Sequence, residues 1–141
     1  MSRAVSIDDL GAWLLKASGD RSDIVARADR ADHIGQWCVR TGYRTALMEA
    51  GQRVLLWVSG SRRGLVPGIW AVGTLTGGPY GEPPVLQVPL ALRWLPERVA
   101  RADLRQDDRL TGLEVLRQPQ AANPSYVTVA QLRAIEAHLT G

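Results

Sequence analysis

The sequence predicts an α+β domain: a small curved β-barrel flanked by helices. Three observations lead there. Two long apolar runs, VLLWV at 54–58 and IWAV at 69–72, follow one another across a turn-rich loop. Unbroken apolar runs are strands buried on both faces, as in a small barrel. The second run is flanked by Gly68 and Gly73, which suit a bulge or tight curvature. The chain ends on a helix start, Thr128-Val129-Ala130-Gln131, with the spacing of a capping box.

Taken in order, Ser6 to Asp9 reads as a helical turn with acids near its positive end. Ala12 to Ala17 is a short apolar run closed by Ser18-Gly19-Asp20, the pattern of a buried strand, with Trp13 in the core. Ser22 is an N-cap candidate for a marginal helix carrying Ile24, Val25 and Ala28. Gly35 to Arg40 is β-like. Tyr43 to Ala50 has helix-forming composition, with Gly51 placed to end it. Arg53 to Ser59 is a strand, Gly60 to Gly64 a loop tipped by Arg62 and Arg63, and Val66 to Thr76 the return strand. Gly77 to Pro84 is a loop. Val85 to Leu95 is a strand that Pro89 confines to an edge or splits. Pro96 onward turns polar, with a helical turn near Leu104. Leu110 to Leu116 reads as a last strand. Leu132, Ile135 and Leu139 then line one face of the C-terminal helix.

The whole chain, 1–141, reads as one domain, without repeat, linker or low-complexity tract. MSRAVSIDDL has acids and no apolar run, so it is not expected to be a signal peptide. No apolar stretch approaches the ~20 residues of a bilayer span. A single cysteine, Cys38, excludes an internal disulfide framework and suits a cytoplasmic setting. Two histidines, His33 and His138, stand without metal-ligand spacing, so neither metal nor other cofactor is expected. No nucleophile elbow surrounds Ser59, and no phosphate loop or acid/base pair is evident. The sequence therefore nominates no catalytic residue, and enzyme activity is not the first expectation.

Charge is unevenly placed. Residues 36–64 carry five arginines against one acid, Glu49, a net +4, whereas 1–35 carry −1 and 65–141 carry 0. Trp37, Trp57 and Trp70 lie in or just after the same stretch. A basic segment interleaved with aromatics suits phosphates and bases; a solvated basic face is the plainer reading.

Several segments resemble, in order, the EVE domain family. Trp13-Leu14-Leu15-Lys16-Ala17-Ser18 is similar to its opening strand. Gln36-Trp37-Cys38-Val39-Arg40 resembles its W-x-x-V-R segment, and Gly51-Gln52-Arg53-Val54-Leu55-Leu56-Trp57 its following strand, with Gln52 where aspartate is usual. Gly68-Ile69-Trp70-Ala71-Val72-Gly73 resembles the return strand, although the family's glutamate after it is absent. Asn123-Pro124 and the helix at Thr128 resemble the close. EVE domains are PUA-like and related to YTH and ASCH domains. The resemblance implies a nucleic-acid-binding module that receives a base, modified in some members, in an aromatic cage.

On that reading the base pocket comprises Trp37, Trp57, Ser59, Trp70, Tyr43 and Asn123, with Trp37 as anchor. Arg40, Arg44, Arg62 and Arg63 are the expected phosphate contacts. The partner is DNA or RNA, with no membrane involved. Two alternatives stay open: a small ASCH-like enzyme acting on a nucleotide or RNA, and a protein-interaction domain using the Arg62–Arg63 loop.

Overall fold

Strand β3 (Arg53–Ser59) lies inside the sheet, its apolar run buried on both faces. The computed structural model describes residues 6–120 and 123–139. The first five residues of MSRAVSIDDL lie outside them. β3 pairs in parallel with β1 (Leu10–Ser18) and antiparallel with β4 (Gly68–Leu75). β4 pairs with β5 (Val85–Ala100), whose first residues also pair with β2 (Gln36–Arg40). β6 (Ser125–Thr128) flanks β1. The sheet order is β2-β5-β4-β3-β1-β6. This six-stranded mixed sheet curls into a half-barrel accompanied, among the described residues, by four helices, an α+β arrangement.

Curling is visible in side chains and backbone. Alternate β3 residues enter two separate cores. Leu55 and Trp57 join the core under the C-terminal helices; Val54, Leu56 and Val58 join the barrel interior with Trp13 and Trp70. A Cβ on Gly73 would collide with the Ala91 carbonyl, so only glycine lets β5 pass this close. The β4–β5 register shifts between Ile69 and Ala71, a bulge of the sort that tightens a sheet.

The helices are short except the last. α1 (Ile24–Asp29) follows β1, α2 (Arg101–Arg105) follows β5, and α3 (Glu114–Arg117) precedes β6. α4 (Val129–Glu136) starts at the capping box expected there: Thr128 accepts from the Gln131 N–H, and Gln131 accepts from the Thr128 N–H. No helix among the described residues is long and apolar enough to cross a membrane.

Three local expectations fail, each for a physical reason. Tyr43 to Ala50 forms only a 3-10 turn at Thr45–Leu47. A helix so short has little intrinsic stability, and side chains claim its backbone: Thr45 bonds Gly42, and Gln52 bonds the Leu47 carbonyl and the Glu49 N–H. Leu110 to Leu116 is not a strand but a 3-10 turn and α3. Leu110 and Leu113 recur at helical spacing and insert into one core. Pro89 does not end β5; it stands where the pairing passes from β2 to β4, and its carbonyl accepts from Thr76.

Candidate functional site: a cleft at the barrel seam

The two edges of the curled sheet meet at one residue. Asn123 precedes edge strand β6, yet its carbonyl accepts the Arg40 N–H of the opposite edge, β2, at 3.3 Å. Its side-chain amide donates to the Cys38 carbonyl at 3.4 Å and accepts from the Lys16 N–H at 3.3 Å. Asn123 thus spans the gap between β1 and β2, two strands that are not neighbours in the sheet.

A cleft of about 490 Å³ opens beside this seam. Lys16 and Ser18 from the end of β1 form one side. Ser22, Asp23, Ile24 and Arg27 come from the start of α1. Residues 35–38 of the β2 segment, Trp37 included, form the other wall, and Asn123 closes the end. Strand alternation explains Trp37: its neighbour Val39 is buried in the barrel interior, and Trp37 packs half-buried against the same core. Its indole is therefore both supported and accessible.

The cleft's polarity is mixed. Asp23 and Ser22 stand exposed at the mouth. Lys16 is half-buried, and its Nζ donates to the Pro119 carbonyl at 3.1 Å. Burial pushes the Lys16 ammonium below its ordinary range; the charge of Glu114 opposes that shift and Arg44 adds to it. A cleft with one aromatic wall and hydroxyl, carboxylate and amide groups around it can hold a flat polar ring and fix its edges.

Among the sequence-derived pocket residues, Trp37 and Asn123 line this cleft. Trp57 does not. It is 3% exposed and faces the opposite core, because it shares parity with Leu55 on β3. Trp70 faces the barrel interior but is 1% exposed; its indole N–H donates to the Val66 carbonyl at 2.8 Å, and Arg98 stacks 3.6 Å over its ring. Neither can serve as a cage wall. Ser59 ends β3 outside the cleft, its hydroxyl donating to the Ala17 carbonyl. Tyr43 is 55% exposed and also outside it.

The arginines divide as well. Arg40, Arg62 and Arg63 are exposed. Arg44, expected as a phosphate contact, is instead buried, bonded to both Glu114 oxygens and to the Pro124 carbonyl. Sequence reasoning missed Lys16, Ser18, Ser22 and Asp23 as cleft residues. The only signal was their clustering around the β1–α1 turn, which says nothing of Trp37 until the sheet curls.

Fold and cleft together define a helix-flanked half-barrel with a seam-side pocket. The same fold occurs in solved structures. A Pseudomonas syringae protein matches over 89% of this chain and 97% of its own, at 18% identity and TM-score 0.66. A Pseudomonas putida protein matches over 90% and 98%, at 20% identity and TM-score 0.67. A hypothetical protein from Leishmania major matches over 94% and 96%, at 16% identity and TM-score 0.66. Identities this low carry the fold alone. No family model and no curated protein matches the chain.

Proposed function

We propose that the protein is a nucleic-acid-binding module, EVE-like within the PUA-like group, that receives a base of DNA or RNA in the seam cleft. One observation carries the reading: Trp37 is a half-buried, accessible indole in the wall of a cleft roomy enough for a nucleobase and rimmed by polar groups. Aromatic stacking contributes about 1–3 kcal/mol per base. Asp23, Ser22 and Asn123 supply acceptors and donors for a base edge. A methyl group on the base would gain apolar contact with the indole. Of Trp37, Trp57 and Trp70, only Trp37 lines the cleft, which therefore offers one aromatic wall rather than a cage of three.

The test is a titration of short oligonucleotides, unmodified and methylated, followed by intrinsic tryptophan fluorescence. Binding that Trp37→Ala removes and Trp37→Tyr partly retains supports the reading. Full affinity in Trp37→Ala, or no affinity for any oligonucleotide at low salt, sinks it.

A second reading draws on Lys16. A cleft lysine whose ammonium is shifted down by burial is a candidate base or nucleophile, as an ASCH-like enzyme acting on a nucleotide or RNA would need. Turnover of such a substrate that disappears in Lys16→Arg would favour it over simple binding.

A further inference from the structure

The chain's net charge gathers at one end of the half-barrel, in three segments that the structure ties together. The β1–α1 turn is bonded to the β3–β4 loop: Asp20 accepts from the Ser61 and Arg62 N–H groups, and Arg62 donates to the Gly19 carbonyl. That loop is bonded in turn to the start of α2, where the Arg101 N–H donates to the Pro67 carbonyl at 2.8 Å. These segments, 19–21, 60–67 and 100–106, hold five arginines (Arg21, Arg62, Arg63, Arg101, Arg105) against Asp20 and Asp103. Their net +3 equals that of the whole chain, so the remaining residues balance to zero.

The geometry points to a phosphate track running from the cleft mouth across the Arg62–Arg63 loop to a groove beside α2, where it holds the flanking backbone of a nucleic acid strand. The groove encloses about 510 Å³ between Leu65–Pro67 and the first turn of α2, and both Arg101 and Arg105 line it. Among the described residues, Arg21, Arg63, Arg101 and Arg105 have no carboxylate partner. Guanidinium groups left unpaired are available to phosphate oxygens. The one acid at the loop is already engaged: backbone N–H groups of Ser61 and Arg62 hold the Asp20 carboxyl below its usual range. Its charge is directed into the loop it shapes. The track begins beside the cleft because Ser18, which lines it, is one residue from Gly19.

A strand following this path would use Arg101 and Arg105, which the central basic stretch of the sequence does not include. The occupant is named as nucleic acid on the strength of the cleft reading, and the experiment separates the two. Fluorescence anisotropy compares labelled single strands of about 4 and about 16 nucleotides, site sizes spanning those of small single-strand-binding folds, for wild type, Trp37→Ala and Arg101→Glu/Arg105→Glu. The longer strand is expected to bind at least about tenfold tighter than the short one, and the double reversal to erase that gain while leaving the short strand's affinity unchanged. The reversal should also flatten the salt dependence by about 0.7 in slope for each phosphate no longer neutralised. Arg101→Gln/Arg105→Gln, which adds no repulsion, should give the same direction with a smaller loss.

Equal affinity for both lengths, or an unchanged salt slope in the double variants, overturns the track even if Trp37→Ala still abolishes binding. Polyglutamate competing as well as oligonucleotide also overturns it, because the end would then be a general polyanion or acidic-protein surface. If the arginine variants weaken the long strand while Trp37→Ala changes nothing, the track stands and the cleft reading falls. Circular dichroism melts check that the reversals, at sites exposed or half-exposed, leave the fold intact.

Discussion

The guanidinium of Arg44 and the carboxylate of Glu114 form a buried two-pronged pair, at 2.7 and 2.8 Å, across 70 residues of sequence. Around it the remaining acceptors are filled. Glu114 also takes the Ser125 hydroxyl at 2.9 Å and the Tyr126 N–H at 3.2 Å, and Arg44 donates to the Pro124 carbonyl at 3.0 Å. The pair therefore grips residues 124–126 from behind, immediately after Asn123 at the seam. Removing either partner leaves a buried charge unmatched. Arg44→Ala and Glu114→Ala should each lower stability by about 3–5 kcal/mol, read from urea denaturation midpoints at neutral pH. A midpoint unmoved in both variants would rule out a structural role for the pair.

The pair also makes a pH prediction. Burial pushes the Glu114 carboxyl up, but hydrogen bonds from Arg44 and Ser125, the charge of Arg44 and the Tyr126 N–H outweigh it and hold the group below the ordinary 4.5. A depressed folded-state value means stability that is fully present above 4.5 and lost as pH falls through the lower folded value. Wild type should lose stability on acidification below about 4.5. Glu114→Gln, weaker at neutrality, should lose less over the same interval. Both proteins carry the same other carboxylates, so the difference between the two acid curves reports on Glu114. Parallel curves would refute the assignment.

The tryptophans should separate by experiment. Trp57→Ala and Trp70→Ala empty packed cores and should cost about 3–5 kcal/mol each. Trp37→Ala removes a half-buried ring at a cleft and should cost clearly less, while carrying the loss of binding. Thermal melts alongside fluorescence titrations test both halves. A Trp37→Ala protein as unstable as Trp57→Ala would make Trp37 another core residue.

Asn123→Ala should open the seam. It deletes the acceptor of the Lys16 N–H and the donor to the Cys38 carbonyl, at about 1–3 kcal/mol for the groups left unpaired. The local readout is amide hydrogen exchange: Lys16 should exchange faster, whereas Leu15, on the alternate side of β1 that pairs with β3, should change only as far as global stability changes. An unaltered rate at Lys16 would remove Asn123 as the seam's fastener.

Gln52 illustrates how a departure from a familiar pattern can still be well used. Its carbonyl accepts from the Trp13 indole at 2.7 Å and from the Glu49 N–H, while its amide donates to the Leu47 carbonyl. Gln52→Ala should therefore leave a buried indole N–H unpaired and lower the melting temperature, with Gln52→Glu retaining the acceptor but losing the donor and falling between. Equal melting of all three proteins would contradict this.

Much of the secondary structure was legible from the chain alone. β1, β2, β3 and β4 follow from apolar runs bounded by glycine and serine turns, and α4 from its capping box, because these signals act over a few neighbouring residues. Legibility failed where distant side chains intervened, as in the 43–50 segment, where Gln52 takes over the backbone. It failed again where helical spacing hid inside an apolar run, at Leu110 and Leu113.

The sequence by itself determined a two-faced β3, a Trp37 in the same short strand as Val39, and a concentration of arginine between residues 36 and 64. Only the tertiary structure decided that Trp57 turns away from Trp37, that Arg44 is spent on Glu114, and that Arg101 and Arg105 line a groove with residues 65–67 of the loop that also carries Arg62 and Arg63. The reason is the curl of the sheet. Register and curvature, summed over six strands, bring residue 123 to residues 16 and 38. No local pattern encodes which faces meet once the edges of that sheet come together.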